Sequence, residues 1–317
     1  MGQISESLHT VADFMRWGAS RFEAAGLVFA HGTDNALDEA AALVLHALAL
    51  PQELPAHFYQ ARLTPEEKDA VMDLLERRIA ERRPAAYLTG RTWFAGLEIL
   101  VDERVLIPRS PIAELIEARF EPWIDPLRVG AILDLCTGSG CIALACARAF
   151  PQATVDATDI SPGALEVAAR NVEAHGLGER VRILRSDLFR ALAGRRYDLI
   201  VSNPPYVAER ELAGLAPEFR YEPQIGLAAG RDGLACVSRI LAGAGEHLGE
   251  HGILVLEVGS AEDAVSRAWP SLPFTWLDFQ RGGSGVLLLT ARELAAAAPL
   301  PGTLPARELG RVGGGTA

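Results

Sequence analysis

The chain has 317 residues, 49% of them hydrophobic and 22% charged, with 30 Gly and 19 Pro. That is enough for roughly two domains with a sizeable core, and it excludes a collagenous or broadly disordered chain. No apolar run approaches the ~18 residues of a spanning helix, and MGQISESLHT lacks the regions of a secretory leader, so a cytoplasmic protein with no membrane partner is expected. Thirty cations against 41 anions leave a net charge of −11. Lys68 is the only lysine; Asp69 follows it, which excludes a Walker phosphate loop, and its charged setting argues against a Schiff base. An acidic chain also lacks the footprint of a dedicated nucleic-acid binder and better suits a small molecule or a basic protein partner.

Residues 1–83 read as a helical domain. Helices are predicted from Ser7 to about Ala25, carrying Val11, Phe14, Met15 and Phe22, and from Asp34 to Leu50, carrying Leu37, Ala41, Val44, Leu45 and Leu48. Thr64-Pro65-Glu66-Glu67 is a capping box with proline at the first helical position, followed by Val71, Leu74, Leu75 and Ile79 on one face. Arg77, Arg78, Arg82 and Arg83 close that helix and are expected on a solvated face that complements the dipole. Residues 1–100 carry nine cations and fourteen anions, so this is no DNA-reading domain.

Aromatic and β-branched residues over 91–107, around Gly96 and Asp102-Glu103, predict a hairpin within a linker spanning 84–109. A helix is expected from Ser110-Pro111 to about Trp123. From there strands at 131–136, 154–159, 181–186, 197–202, 253–258, 274–279 and 285–290 alternate with helices at 140–149, 162–175, 233–250 and 261–269. This order predicts an α/β fold, a doubly wound and mostly parallel sheet over 110–295, closed by a hairpin around Gly282-Gly283. Residues 296–317 read as a disordered tail.

Cys136, Cys141, Cys146 and Cys236 are expected to be thiols rather than metal ligands, since 141 and 146 point ~140° apart on one helix. His247 and His251 resemble half a zinc site, but no Glu follows the first, and Gly252 is expected to end their helix. No metal is predicted.

The first strand of the sheet runs Asp134-Leu135-Cys136-Thr137-Gly138-Ser139-Gly140 into a helix. Glycines there admit a ligand close to the backbone, and the free N–H groups of the helix start favour an anion. A dinucleotide and S-adenosylmethionine fit this loop equally. Asp159 ends the next strand, placed to accept both hydroxyls of a ribose, and Asp187-Leu188 ends the third, suited to an adenine amino group and ring face. What separates the cofactors is the fourth strand, which enters Asn203-Pro204-Pro205-Tyr206. Two prolines fix φ and lack N–H groups, leaving carbonyls pointing from a stiff turn. The Asn203 side-chain oxygen and the Pro204 carbonyl can each take one hydrogen of a planar NH₂, with the Tyr206 ring beside it and near a sulfonium. Hydride transfer has no use for such a turn.

The glycine loop, Asp159 and the Asn-Pro-Pro-Tyr turn resemble those of the S-adenosylmethionine-dependent N-methyltransferases. Residues 84–290 are more closely similar to the protein glutamine methyltransferases, whose members combine a small helical domain, a hairpin linker and a seven-stranded Rossmann-like catalytic domain. Pro108-Arg109-Ser110-Pro111-Ile112-Ala113-Glu114, Leu256-Glu257-Val258-Gly259 and Phe274-Thr275-Trp276-Leu277-Asp278-Phe279 resemble the branch acting on large-subunit ribosomal protein L3. The release-factor branch typically has Pro-Arg-Pro-x-Thr-Glu and Glu-His-Gly instead. Ser260, where Asn is commoner, and Gln280-Arg281 depart from the pattern. The resemblance implies transfer of a methyl group to a glutamine amide, with Asn203, Pro204, Pro205 and Tyr206 at the acceptor. Asp134, Cys136, Thr137, Gly138, Ser139, Gly140, Asp159, Asp187, Leu188 and Asn203 would then bind cofactor. Residues 1–83 would recognise the substrate, and the charge of −11 would steer a basic ribosomal protein. Release-factor methylation, an adenine-amino methyltransferase and a noncatalytic S-adenosylmethionine-binding assembly module stand as alternatives.

Overall fold

A computed structural model describes residues 7–297. Three helices open it: α1 (Val11–Ala24), α2 (Ala36–Ala47) and α3 (Pro65–Glu81). Each starts at a side-chain cap. Thr10 and Asp13 form a capping box, Asn35 accepts from Asp38 N–H, and Thr64 and Glu67 form the predicted box. The apolar faces meet around Phe14, Phe22, Leu43, Val71 and Leu75. Gly18 lets α1 approach α3, because a Cβ there would lie 2.9 Å from Leu75 Cδ2.

Of the arginines closing α3, Arg77 keeps the solvated face expected of it, pairing with Asp73 and Glu81, and Arg83 is part-exposed beside Glu103. Arg78 and Arg82 turn instead to buried partners. Arg78 is fully buried and pairs with Glu39 of α2; Arg82, in left-handed conformation at the C-cap, pairs with the buried Glu218 at 2.7 Å and donates to the Gly26 carbonyl at 2.8 Å. Helical periodicity marks which face an arginine occupies, not the distant carboxylate waiting there.

A short α4 (Ala85–Thr89) leads into the hairpin β1 (Arg91–Phe94) and β2 (Leu97–Leu100), turning at Ala95-Gly96 with both residues at positive φ. Residues 101–107 continue as loop rather than strand. Leu97, Ile99 and Val101 are buried in the core formed with Ile142, Val155 and Val172, so the hairpin is a layer of the sheet domain's packing. The helix expected over 110–123 is only α5 (Ile112–Glu117). Arg119 and Phe120 adopt left-handed φ, which turns the fully buried Phe120 inward against Phe150, ring centroids 6.3 Å apart.

The sheet domain then alternates β3 (Ala131–Leu135), α6 (Cys141–Ala149), β4 (Thr154–Asp159), α7 (Pro162–Ala174), β5 (Val181–Arg185) and β6 (Tyr197–Ser202). The short α8 (Glu209–Leu212) and α9 (Gln224–Leu227), with the 3₁₀ turn Pro217–Tyr221 between them, form an insert unforeseen from the pattern. There follow α10 (Ala235–His247), β7 (Leu248–Glu257), α11 (Glu262–Ala268), β8 (Thr275–Leu277), β9 (Val286–Thr290) and α12 (Ala291–Ala296). The strand order is β5-β4-β3-β6-β7-β9-β8; β9 runs antiparallel to both neighbours and the other adjacent pairs are parallel. The predicted seven-stranded, doubly wound sheet is therefore present. The expected tail falls outside the described residues except for Ala296, which ends α12, and Ala297.

One boundary is corrected. The helix expected to run to residue 250 stops at His247, because Leu248 pairs with Tyr197 and opens β7. His247 is buried with its ring stacked on Phe189, centroids 4.7 Å apart, while His251 is exposed on the strand, so the two do not share a helix face.

Candidate active site

The C-terminal ends of β3, β4, β6 and β7 open onto one cavity of about 600 Å³, where an open parallel sheet of this order binds ligands. At the end of β3 the chain turns through positive φ at Cys136, Gly138 and Gly140 to start α6. Cys136, Thr137, Gly138 and Ser139 line the cavity. Gly140 does not. It faces α7, and a Cβ on it would lie 3.2 Å from Ala168 Cβ. Asp134 also lies beneath the loop, fully buried, its Oδ2 accepting from the Thr137 hydroxyl and from Ala143 N–H at 3.1 Å. Both residues named from the sequence as ligand contacts thus shape the loop from behind. Asn171 of α7 braces it further, donating to the Ser139 carbonyl at 2.9 Å while bonding both backbone groups of Leu100 in the hairpin.

Asp159 ends β4 and faces the cavity. Its oxygens accept from Gly138 N–H at 3.0 Å and Ser161 N–H at 2.9 Å, so one carboxylate joins the β3 loop to the α7 N-cap. Burial nevertheless raises its pKa. Asp187 and Leu188 lie on the same wall; Asp187 is paired with Arg239 of α10 at 2.8 Å, and Leu188 is buried at positive φ. The cavity therefore offers a half-buried acceptor, a glycine loop running into a helix start and the apolar surfaces of Ile160, Ala164 and Leu188.

The opposite wall carries Asn203, Pro204, Pro205 and Tyr206, all four lining the cavity. Register explains the convergence: Leu135 pairs with Ser202 and Ser202 with Leu256, so the β3 loop, the Asn-Pro-Pro-Tyr turn and Glu257 emerge side by side. The Tyr206 hydroxyl donates to Glu257 Oε1 at 3.2 Å, and burial raises the phenol pKa. Gly233 is required here, since it adopts φ +80° and a Cβ on it would lie 2.5 Å from the Tyr206 carbonyl oxygen.

Several cavity residues were not identified from the sequence as site residues: Arg109, Ser110, Phe219, Arg239 and Glu257. The Arg109 guanidinium donates to both carboxylate oxygens of Glu222, at 2.5 and 2.8 Å, and lies over the Phe219 ring. One signal could have found Glu257: an acid at the C-terminal end of a strand beside the one bearing the Asn-Pro-Pro-Tyr turn. Ser260, Gln280 and Arg281 lie off the cavity; the backbone N–H groups of Gln280 and Arg281 donate to Glu114.

A glycine loop, a β4 acid and a rigid acceptor turn meeting above a seven-stranded sheet define a Rossmann-like methyltransferase. A family model for the methyltransferase small domain matches residues 121–219, and one for the PrmC N-terminal domain matches residues 13–90. The ribosomal protein uL3 glutamine methyltransferase of Xanthomonas campestris is 52% identical over 292 residues, covering 92% of this chain and 94% of that one. The enzyme of the same name from Bordetella pertussis is 49% identical over 290 residues, covering 91% and 97%. A crystal structure of a methyltransferase from Pyrococcus furiosus superposes with a TM-score of 0.46 at 22% identity, covering 62% of this chain and 89% of that one. The chain belongs to the family of the ribosomal protein uL3 glutamine methyltransferases.

Proposed function

We propose that this chain transfers the methyl group of S-adenosylmethionine to the side-chain amide nitrogen of a glutamine in large-subunit ribosomal protein uL3, in the cytoplasm. Among the described residues no helix is long and apolar enough to cross a membrane. The observation that carries the reading is the meeting of Asp159 and the β3 loop with Asn203–Tyr206 across one cavity. Its donor set suits that cofactor. Asp159 is a half-buried acceptor for ribose hydroxyls, Leu188 and Ile160 offer faces to a purine, and the start of α6 favours a carboxylate.

When bound, S-adenosylmethionine would supply an electrophilic methyl, the electron pair of its bond to sulfur remaining on sulfur as the nitrogen lone pair forms the new bond. This chain's residues must make a poor nucleophile effective, because the amide lone pair is delocalised into its carbonyl. Asn203 Oδ1 and the Pro204 carbonyl accept the two amide hydrogens and hold the nitrogen toward the methyl; Tyr206 covers the group with its ring. Orientation of this kind is worth up to ~7–11 kcal/mol, so no strong base is required. The proton lost from nitrogen leaves past Asn203 to solvent.

The test is to incubate the protein with labelled S-adenosylmethionine and purified uL3 beside release factors, DNA and RNA, and to map the product by mass spectrometry. Label on a uL3 glutamine is expected; label only on a release factor or nucleic acid overturns the substrate reading. Asn203→Ala should lower turnover at least ~100-fold while calorimetry shows S-adenosylmethionine affinity within a few-fold of wild type. Asp159→Ala should do the reverse, weakening the cofactor. Normal turnover by Asn203→Ala overturns the site.

A further inference from the structure

Glu257 closes β7 one residue beyond the pairing of Leu256 with Ser202, which places it beside the start of the Asn203–Tyr206 turn. It lines the cavity yet is only 5% exposed, so its carboxylate is costly unless both oxygens find partners. They do. Oε1 accepts from the Tyr206 hydroxyl at 3.2 Å and Oε2 from the Ser110 hydroxyl at 2.5 Å. Ser110 Oγ in turn accepts from Ile112 N–H at 3.2 Å, tying the group to the start of α5. The cation nearest in the chain's own motif, Arg109, is committed to Glu222 instead. Glu257 therefore meets neutral hydroxyls, whose directions it sets, rather than a guanidinium that would neutralise it.

The Tyr206 ring is confined on another side. Gly259 has φ +46°, and a Cβ there would lie 2.5 Å from Tyr206 Cε2 and 2.6 Å from Cζ. Backbone thus packs directly on the ring while Glu257 holds its hydroxyl. A buried phenol needs such a partner, and loss of it frees the ring to tilt.

We infer that Glu257 is a positioning residue for methyl transfer: through the Tyr206 hydroxyl it holds the ring that covers the acceptor amide, and through Ser110 it is itself held. The inference rests on the reading of Asn203–Tyr206 as the acceptor site. Misplacement of a reacting group by ~1 Å costs on the order of 100-fold. Glu257→Ala is accordingly expected to lower kcat ~10- to 100-fold, with acceptor KM and S-adenosylmethionine Kd each within ~3-fold. Glu257→Gln keeps one accepting oxygen and should recover part of that loss. Tyr206→Phe keeps the ring and removes only the hydroxyl; it should lower kcat similarly, and the double variant Tyr206→Phe/Glu257→Ala should be no slower than the slower single variant, because both break one contact.

Additive losses in that cycle, or a loss carried by KM or cofactor affinity with kcat unchanged, overturn the inference. If Glu257→Ala melts below the assay temperature, Tyr206→Phe decides alone: wild-type kcat overturns it, and reduced kcat with unchanged Kd supports it. Asn203→Ala separates the two levels. Full turnover there removes the acceptor site and this inference with it, whereas a dead Asn203→Ala beside fully active Tyr206→Phe and Glu257→Ala removes the inference alone.

Discussion

Asp134 is fully buried beneath the β3 loop, and its oxygens are unequally served. Oδ2 accepts from the Thr137 hydroxyl and Ala143 N–H, whereas Oδ1 is buried and has no hydrogen-bond partner among the described residues. Burial pushes the carboxyl up to about 7. The folded protein thus keeps a proton there that the unfolded chain releases near its ordinary value of 3.8, and stability falls as pH rises from about 4 through about 7. Asp159 and Glu257, also raised by burial, add the same sign. His31, lowered by burial to about 4, works in the opposite sense over part of this range, so the effect is read as a difference: in thermal melts the Tm of wild type relative to Asp134→Asn should decline between about pH 4 and about pH 7. Asp134→Asn should decline less steeply, since its amide oxygen still accepts but does not titrate. Equal slopes would remove Asp134 from the effect. The acid was visible in the sequence as part of the loop; its role behind the loop was not, because burial depends on what packs over it.

At the scale of elements, α6 and α7 approach through Gly140. Its φ of +82° and the 3.2 Å from a would-be Cβ to Ala168 Cβ make Gly140→Ala both strained and crowded. Urea unfolding should show a loss of ~1–3 kcal/mol, and calorimetry a weaker S-adenosylmethionine complex, because the start of α6 must shift; unchanged stability would show that the loop relaxes freely. The elements themselves were largely legible. Apolar spacing marks α1, a capping box marks α3, prolines at first turns mark α3 and α7, and apolar runs mark the sheet, since each is written in neighbouring residues. The failures sit where pairing overrode local pattern. Leu248 extends the apolar spacing of α10 but is taken by Tyr197 into β7, and Phe120 leaves α5 to fill the core beside Phe150.

Across the whole molecule, the helical N-terminal segment and the insert after the Asn-Pro-Pro-Tyr turn are joined by buried charge. Glu39, Glu218 and Glu222 face Arg78, Arg82 and Arg109, three anions against three cations. His31 lies 3.7 Å from Glu222, but burial pushes its pKa down to about 4, so it stays neutral and the balance holds. Phe219, between Glu218 and Glu222 in the chain, touches His31 and Arg109 and lines the cavity beside Ala30, so the loop between α1 and α2 helps build the cavity's wall. Arg78→Met leaves Glu39 without its cation, while Glu218 keeps Arg82, and should cost ~3–5 kcal/mol in urea unfolding, with Glu39→Leu/Arg78→Met recovering part of it. A loss below ~1 kcal/mol would show that the pair is dispensable.

By itself the sequence determined the sheet, the cofactor-type loop, the β4 acid and the Asn-Pro-Pro-Tyr turn. The loop and the turn are short runs whose backbone demands, glycine at positive φ or proline without an N–H, are met within the run, and the strands and the acid ending β4 show in the local apolar pattern. Only the tertiary structure decided which groups hold those pieces in place. Glu257 meets Tyr206 across 51 residues and Ser110 across 147, Glu222 meets Arg109 across 113, and Arg78 meets Glu39 across 39. A buried charge or hydroxyl takes whatever partner the fold delivers, and that delivery is set by strand register and helix packing rather than by spacing along the chain.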